Sequence, residues 1–207
     1  IYSKDDLFVM PYIKFENNPR RYYMITNSEN SVSTYKYQYC EDSKSCNMVI
    51  ISPQVFASRN LPMRYHKSRL GLNVATTVNK NLMDFYDDYP LCRWDVYAIS
   101  GMSTELFQQV IISLKSQVSG LKEVDAVSLI LNFVQTAFPY KKDAIQFKTE
   151  RPLFPDESFY YNGCDCEDHA ILFAYLINKL VGLDVLFLQY DEPVAHLSTA
   201  IKFNGMV

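Results

Sequence analysis

The chain has 207 residues and a formal net charge of -3, with 48% hydrophobic and 21% charged residues, so it is long enough to bury a sizeable core in one domain or two small ones. No run approaches the roughly 18 apolar residues of a membrane-spanning helix. The basic residues Arg20, Arg21, Arg64, Lys67 and Arg69 are scattered, so neither a bilayer span nor a nucleic-acid partner is expected.

The first hundred residues hold 11 of the 16 tyrosines and read as a β-rich region, 1–93, of unknown role. Its strands are expected at Leu7–Phe15, Arg21–Thr26, Ser33–Tyr39 and Met48–Ser52, divided by Asn, Pro and Ser turn clusters. Ser33, Tyr35, Tyr37 and Tyr39 share one strand face, which cross-strand aromatic packing explains without a ligand. Cys40 and Cys46 bracket a short polar loop and suit a hairpin-closing disulfide, which favours an extracytoplasmic location, periplasmic or secreted. An upstream segment is expected to precede Ile1. His66, among Arg64, Lys67 and Arg69, reads as a surface residue.

A helix is expected over Val74–Asp87, where Leu82, Phe85 and Tyr86 would share a side. A short strand follows at Trp94–Ile99, then a helix over Thr104–Val118 capped by Ser103 and a second from Val124 to Ala137. A polar loop containing Pro152 and Pro155 leads to Asn162-Gly163-Cys164-Asp165-Cys166-Glu167-Asp168-His169-Ala170. Asp165 is a good N-cap and Gly182 a C-terminal stop, so the next helix runs from Cys166 to Val181. Steps of three and four from Cys166 reach Ala170, Phe173, Ala174, Ile177 and Leu180, one apolar stripe. Leu183–Tyr190 and Leu197–Phe203 read as strands, the second with His196, Ser198 and Ala200 on the face offered to the cysteine helix.

A thiolate attacks carbonyl carbon, and amide groups at a helix start favour the thiolate and receive an oxyanion. Glu167 and Asp168 oppose that effect, so an imidazole is needed nearby. His196 is the expected base; His169, three residues after Cys166, frames the motif. Cys164 lies in the loop before the cap.

The stretch from Thr104 to Val207 resembles the transglutaminase-like superfamily in the order Cys166-x-Asp168-x-Ala170, apolar helix, strand and His196. The resemblance implies an α+β fold in which the cysteine helix packs on an antiparallel sheet, over 94–207. It further implies Cys166 as nucleophile, His196 as general base, no cofactor, and a peptide or protein amide as substrate, with protease or amidase action favoured over cross-linking. The binding or supporting residues are Cys164, Asp165, Asp168 and His169. No aspartate follows His196. Asn204-Gly205 favours a type I′ turn, so the third member is expected on a returning strand beyond Val207, with Asn204 as the alternative.

Two other functions fit the same residues. One is a catalytically degenerate fold that binds or scaffolds. The other is a structural zinc site built from Cys164, Cys166, His169 and His196.

Overall fold

Short runs with aromatic or β-branched residues in this α+β chain form two-stranded antiparallel sheets, while apolar residues at three- and four-residue spacing form its helices. The computed structural model describes residues 12–14, 21–23, 59–87, 89, 94–191 and 195–205. The chain divides into two compact units, residues 1–60 with 79–93 and residues 61–78 with 94–207.

In the first unit, β1 (Tyr12–Lys14) pairs with β2 (Arg21–Tyr23), Tyr12 opposite Tyr23. Both strands fall within segments expected to be extended. The expected strands Ser33–Tyr39 and Met48–Ser52, the tyrosine face and the Cys40–Cys46 pair lie outside the described residues. Helix α1 (Lys80–Asp87) buries Met83. Its start is fixed by Asn79, whose Oδ1 accepts the Asn81 N–H at 3.0 Å, and this shortens the helix expected over Val74–Asp87. The β-branched Val74 and Thr76 belong instead to a strand of the second unit.

That strand, β4 (Asn73–Thr76), pairs with β3 (Arg64–Lys67), His66 opposite Val74. The surface placement expected of His66 is overturned: it is 9% exposed, because strand alternation turns His66, Val74 and Thr76 to the buried side. A second correction concerns Trp94–Ile99, which forms a helix, α2 (Trp94–Ser100), and not a strand. Tyr97 is its anchor, 1% exposed with its ring 4.6 Å from that of Phe154. Helix α3 runs through Thr104–Phe107, a π-helical turn Gln108–Ile112 and Ser113–Val118. Ser103 occupies its N-cap position but turns its hydroxyl to the buried carboxylate of Asp156. Helix α4 (Glu123–Ala137) buries Ala126, Val127, Ile130, Phe133 and Val134, a helical stripe.

Helices α5 (Asp143–Gln146) and α6 (Pro155–Tyr160) precede the central α7 (Cys166–Leu180). Every residue from Ala170 to Ile177 is buried, so α7 is enclosed on all sides where a single stripe was expected. Helices α2, α4 and α6 pack on it, as do β5 (Asp184–Tyr190) and β6 (His196–Lys202). Each fully buried Leu, Ile or Phe contributes about 1.5–3 kcal/mol, which makes α7 the axis of this unit. Gly182 at φ 78° ends the helix, donating its N–H to the Ile177 carbonyl at 3.1 Å. The chain then returns along β5 and pairs with β6, Tyr190 opposite His196 and Asp184 opposite Lys202.

Candidate active site

The N-terminal end of α7 is held by a reciprocal capping box. Asp165 accepts the Asp168 N–H, and Asp168 Oδ2 accepts the Asp165 N–H at 3.1 Å. Asp168 Oδ1 also accepts the Leu153 N–H at 2.8 Å, so one fully buried carboxyl joins the helix start to the preceding loop. Burial, and after it the charges of Asp165 and Asp143, hold that carboxyl well above the usual carboxylate range.

The loop is anchored twice more. The Arg151 N–H donates to Asp143 Oδ2. The Arg151 guanidinium pairs with Glu157 at 2.6 Å, both buried, and lies between the rings of Phe147 at 4.8 Å and Tyr161 at 5.0 Å. On the other side of the motif Gln146 donates to the Gly163 carbonyl at 3.1 Å. Cys164 exchanges backbone hydrogen bonds with Pro139 and Lys141. Gly163 is required there: a Cβ would stand 2.4 Å from the Lys141 Cβ.

Cys166 opens the helix half-buried, its thiol donating to Glu167 Oε2 at 3.0 Å. Glu167 is 4% exposed. Burial, and after it the neighbouring carboxyls of Glu150 and Asp165, push its own carboxyl up to about 12. Asp165 is raised as well, first by burial. Of the two carboxyls expected to oppose a thiolate, Glu167 is the immediate partner of the sulfur, while Asp168 is turned to the backbone of Leu153 and Asp165.

The other supporting residues divide by environment. Cys164 is 1% exposed; burial pushes its thiol well up, which makes it a core residue. His169 donates from Nε2 to the Phe138 carbonyl at 3.1 Å, leaving Nδ1 as the acceptor of the neutral ring, and burial lowers its pKa. Its ring lies 6.4 Å from that of Tyr140. Tyr140, which the sequence did not single out, is 60% exposed beside the motif. Its hydroxyl pKa is raised by burial and then by the charges of Cys166, Asp165, Glu167 and Asp143. The only sequence signal for it was its place in Phe138-Pro139-Tyr140, just after α4.

His196 is exposed at the first position of β6, and its ring stacks 6.5 Å from Tyr190. Leu197, buried at 5%, takes the inward position. The face carrying His196, Ser198 and Ala200, expected against the cysteine helix, is thus the outer one at this end, because the bulkier Leu197 fills the space beside α7. The β5–β6 hairpin packs on α7, and its Tyr190–His196 end is the one remote from the turn that joins α7 to β5. The 15 residues of α7 rise about 21 Å and the seven of β5 return about 20 Å. Among the described residues no hydrogen bond joins Cys166 and His196.

Asn204 donates from its backbone and side-chain nitrogens to the Glu123 carboxylate, at 3.1 and 3.3 Å, so it is committed to α4. The groups whose ligand atoms converge, among the described residues, are Asp165–Cys166–Glu167 and Asp143–Glu150–Asp165–Glu167. The quartet Cys164, Cys166, His169 and His196 is not one of them. No family model, curated protein or solved structure matches the chain.

Proposed function

We propose that the chain carries a thiol-dependent acyl-transfer site of the transglutaminase-like type, acting on a peptide or protein amide, with Cys166 as nucleophile and His196 as general base. The observation that carries it is Cys166 at the start of the enclosed helix α7, with the β5–β6 hairpin packed on that helix and His196 at the hairpin end remote from the α7–β5 turn. The Cys166 and Glu167 N–H groups of the first turn, which the capping box does not use, offer an oxyanion site.

In this scheme a rotation of the Cys166 side chain away from Glu167 lets the thiol pass its proton to His196. Sulfur attacks the amide carbon, a C–S bond forms, and the oxyanion rests on the helix N–H groups. Collapse breaks the C–N bond, and His196 returns the proton to the departing amine. Water then adds to the thioester, releasing the carboxylic acid and restoring the thiol. Water is the simpler acceptor, since amine transfer needs a second binding site.

A degenerate, ligand-binding version of the fold is the second reading, favoured by the outward position of His196 beside Tyr190. Incubation with p-nitrophenyl acetate and peptide mapping separates the two. Turnover predicts burst release of nitrophenol and a thioester on Cys166 that disappears in Cys166→Ser and falls at least about tenfold in His196→Ala. Acylation that ignores His196 supports the degenerate reading.

A further inference from the structure

Three segments of the second unit bring carboxylates to one point: Asp143 from α5, Glu150 from the loop before α6, and Asp165 with Glu167 from the start of α7. One oxygen from each lies within 4.8 Å of the others. Four acids at that spacing repel one another unless protons or a cation stand between them. Among the described residues, Glu150, Asp165 and Glu167 form no ion pair with Lys or Arg.

An independent observation points the same way. Asp165 and Glu167 are only 7% and 4% exposed, yet among the described residues Asp165 Oδ1 and Glu167 Oε1 have no hydrogen-bond partner. Buried carboxyl oxygens without hydrogen-bond partners are costly, and these two belong to the convergent group. We propose that Asp143, Glu150, Asp165 and Glu167 form a binding site for a hard divalent cation, with Ca²⁺ the best fit.

The donors are all oxygen, which disfavours softer metals that seek imidazole or thiolate. Calcium–oxygen distances of about 2.3–2.6 Å let a central ion reach oxygens up to about 5 Å apart, whereas Mg²⁺, at about 2.0–2.1 Å, would need the ring to contract. Glu150 is exposed, so it forms the open side through which the ion enters and where water completes the six to eight ligands that Ca²⁺ takes. Once bound, the ion would take over the Glu167 carboxyl and so free the Cys166 thiol from its present acceptor. The binding itself does not depend on any thiol chemistry.

Terbium(III) luminescence, excited through tyrosine on the full 207-residue chain, tests the site, because Tyr140 stands beside Asp165 and Glu167. Saturable Tb³⁺ emission, competed by Ca²⁺ better than by Mg²⁺, is expected, with a Ca²⁺-dependent rise in melting temperature of about 3 °C or more. Glu150→Gln, whose exposed side chain leaves the fold intact, should weaken Ca²⁺ at least tenfold, Asp165→Asn likewise, and Cys166→Ser should leave it unchanged. Absence of saturable Tb³⁺ or Ca²⁺ binding by the folded chain would overturn the proposal. So would binding indifferent to both carboxamide variants, or a site that takes only Zn²⁺ and requires Cys166.

Discussion

Two antiparallel hairpins of the second unit each carry one histidine, and they use it in opposite ways. In β3–β4, His66 faces inward, stacked 5.1 Å from Phe138 and edge-on at 4.9 Å to Phe159, with no hydrogen-bond partner for Nε2 among the described residues. Burial, and then the Arg64 charge, drive its pKa down to about 4, so the ring is neutral and serves as an aromatic core residue. In β5–β6, His196 faces outward beside Tyr190, open to solvent and to a ligand. The difference follows from strand parity: a one-residue shift decides whether an imidazole is walled in by phenylalanine or faces solvent.

The largest effect is expected where the site is fastened to the core. Asp168→Ala orphans the Leu153 and Asp165 N–H groups and should cost about 3–5 kcal/mol in urea denaturation. A loss below about 1 kcal/mol would mean that the carboxyl does not hold the loop to the helix. The inward histidine comes next. Its pKa is near 6.5 in the unfolded chain and about 4 in the fold, so between those values the unfolded state binds more protons and stability falls as pH falls. That contribution, about 3 kcal/mol, is complete above pH 6.5 and gone below pH 4. The raised carboxyls of Glu167, Asp165 and Asp156 act in the opposite sense. The measurement is therefore the difference between wild type and His66→Phe at pH 7 and pH 5, and an equal slope in both would contradict the buried neutral ring.

Gly163→Ala should cost about 1–3 kcal/mol through its clash with Lys141, read from its melting curve; a neutral substitution would show that the two backbones separate easily. The smallest effect belongs to the outward histidine. His196→Ala should change stability by less than about 0.5 kcal/mol, and a larger loss would place this side chain in the core with His66.

The same parity explains what the sequence revealed. The Asp165 cap, the Cys166 start, the Gly182 stop and the paired strands after it were legible because capping residues and alternation are local signals. Trp94–Ile99 was misread because its aromatic and β-branched composition outweighed its helical spacing, in which Tyr97 meets the core while Ile99 and Ser100 face solvent. His66 was misread from its charged neighbours, although Tyr65 and Lys67 point the other way along the strand. The carboxyl cluster could not be read at all. Asp143 and Glu150 are separated from Asp165 by loops whose course depends on Arg151, Glu157 and Asp168, contacts that no periodicity announces.

The central claim, that Cys166 and the outward His196 work as a pair, is tested most directly by the rate of iodoacetamide alkylation at Cys166, followed by peptide mapping between pH 5 and 9. The pairing predicts rapid alkylation below pH 7 that slows about tenfold or more in His196→Ala and is indifferent to Cys164→Ser. Slow alkylation at pH 6 in the wild type, with the same pH profile in His196→Ala, would contradict it.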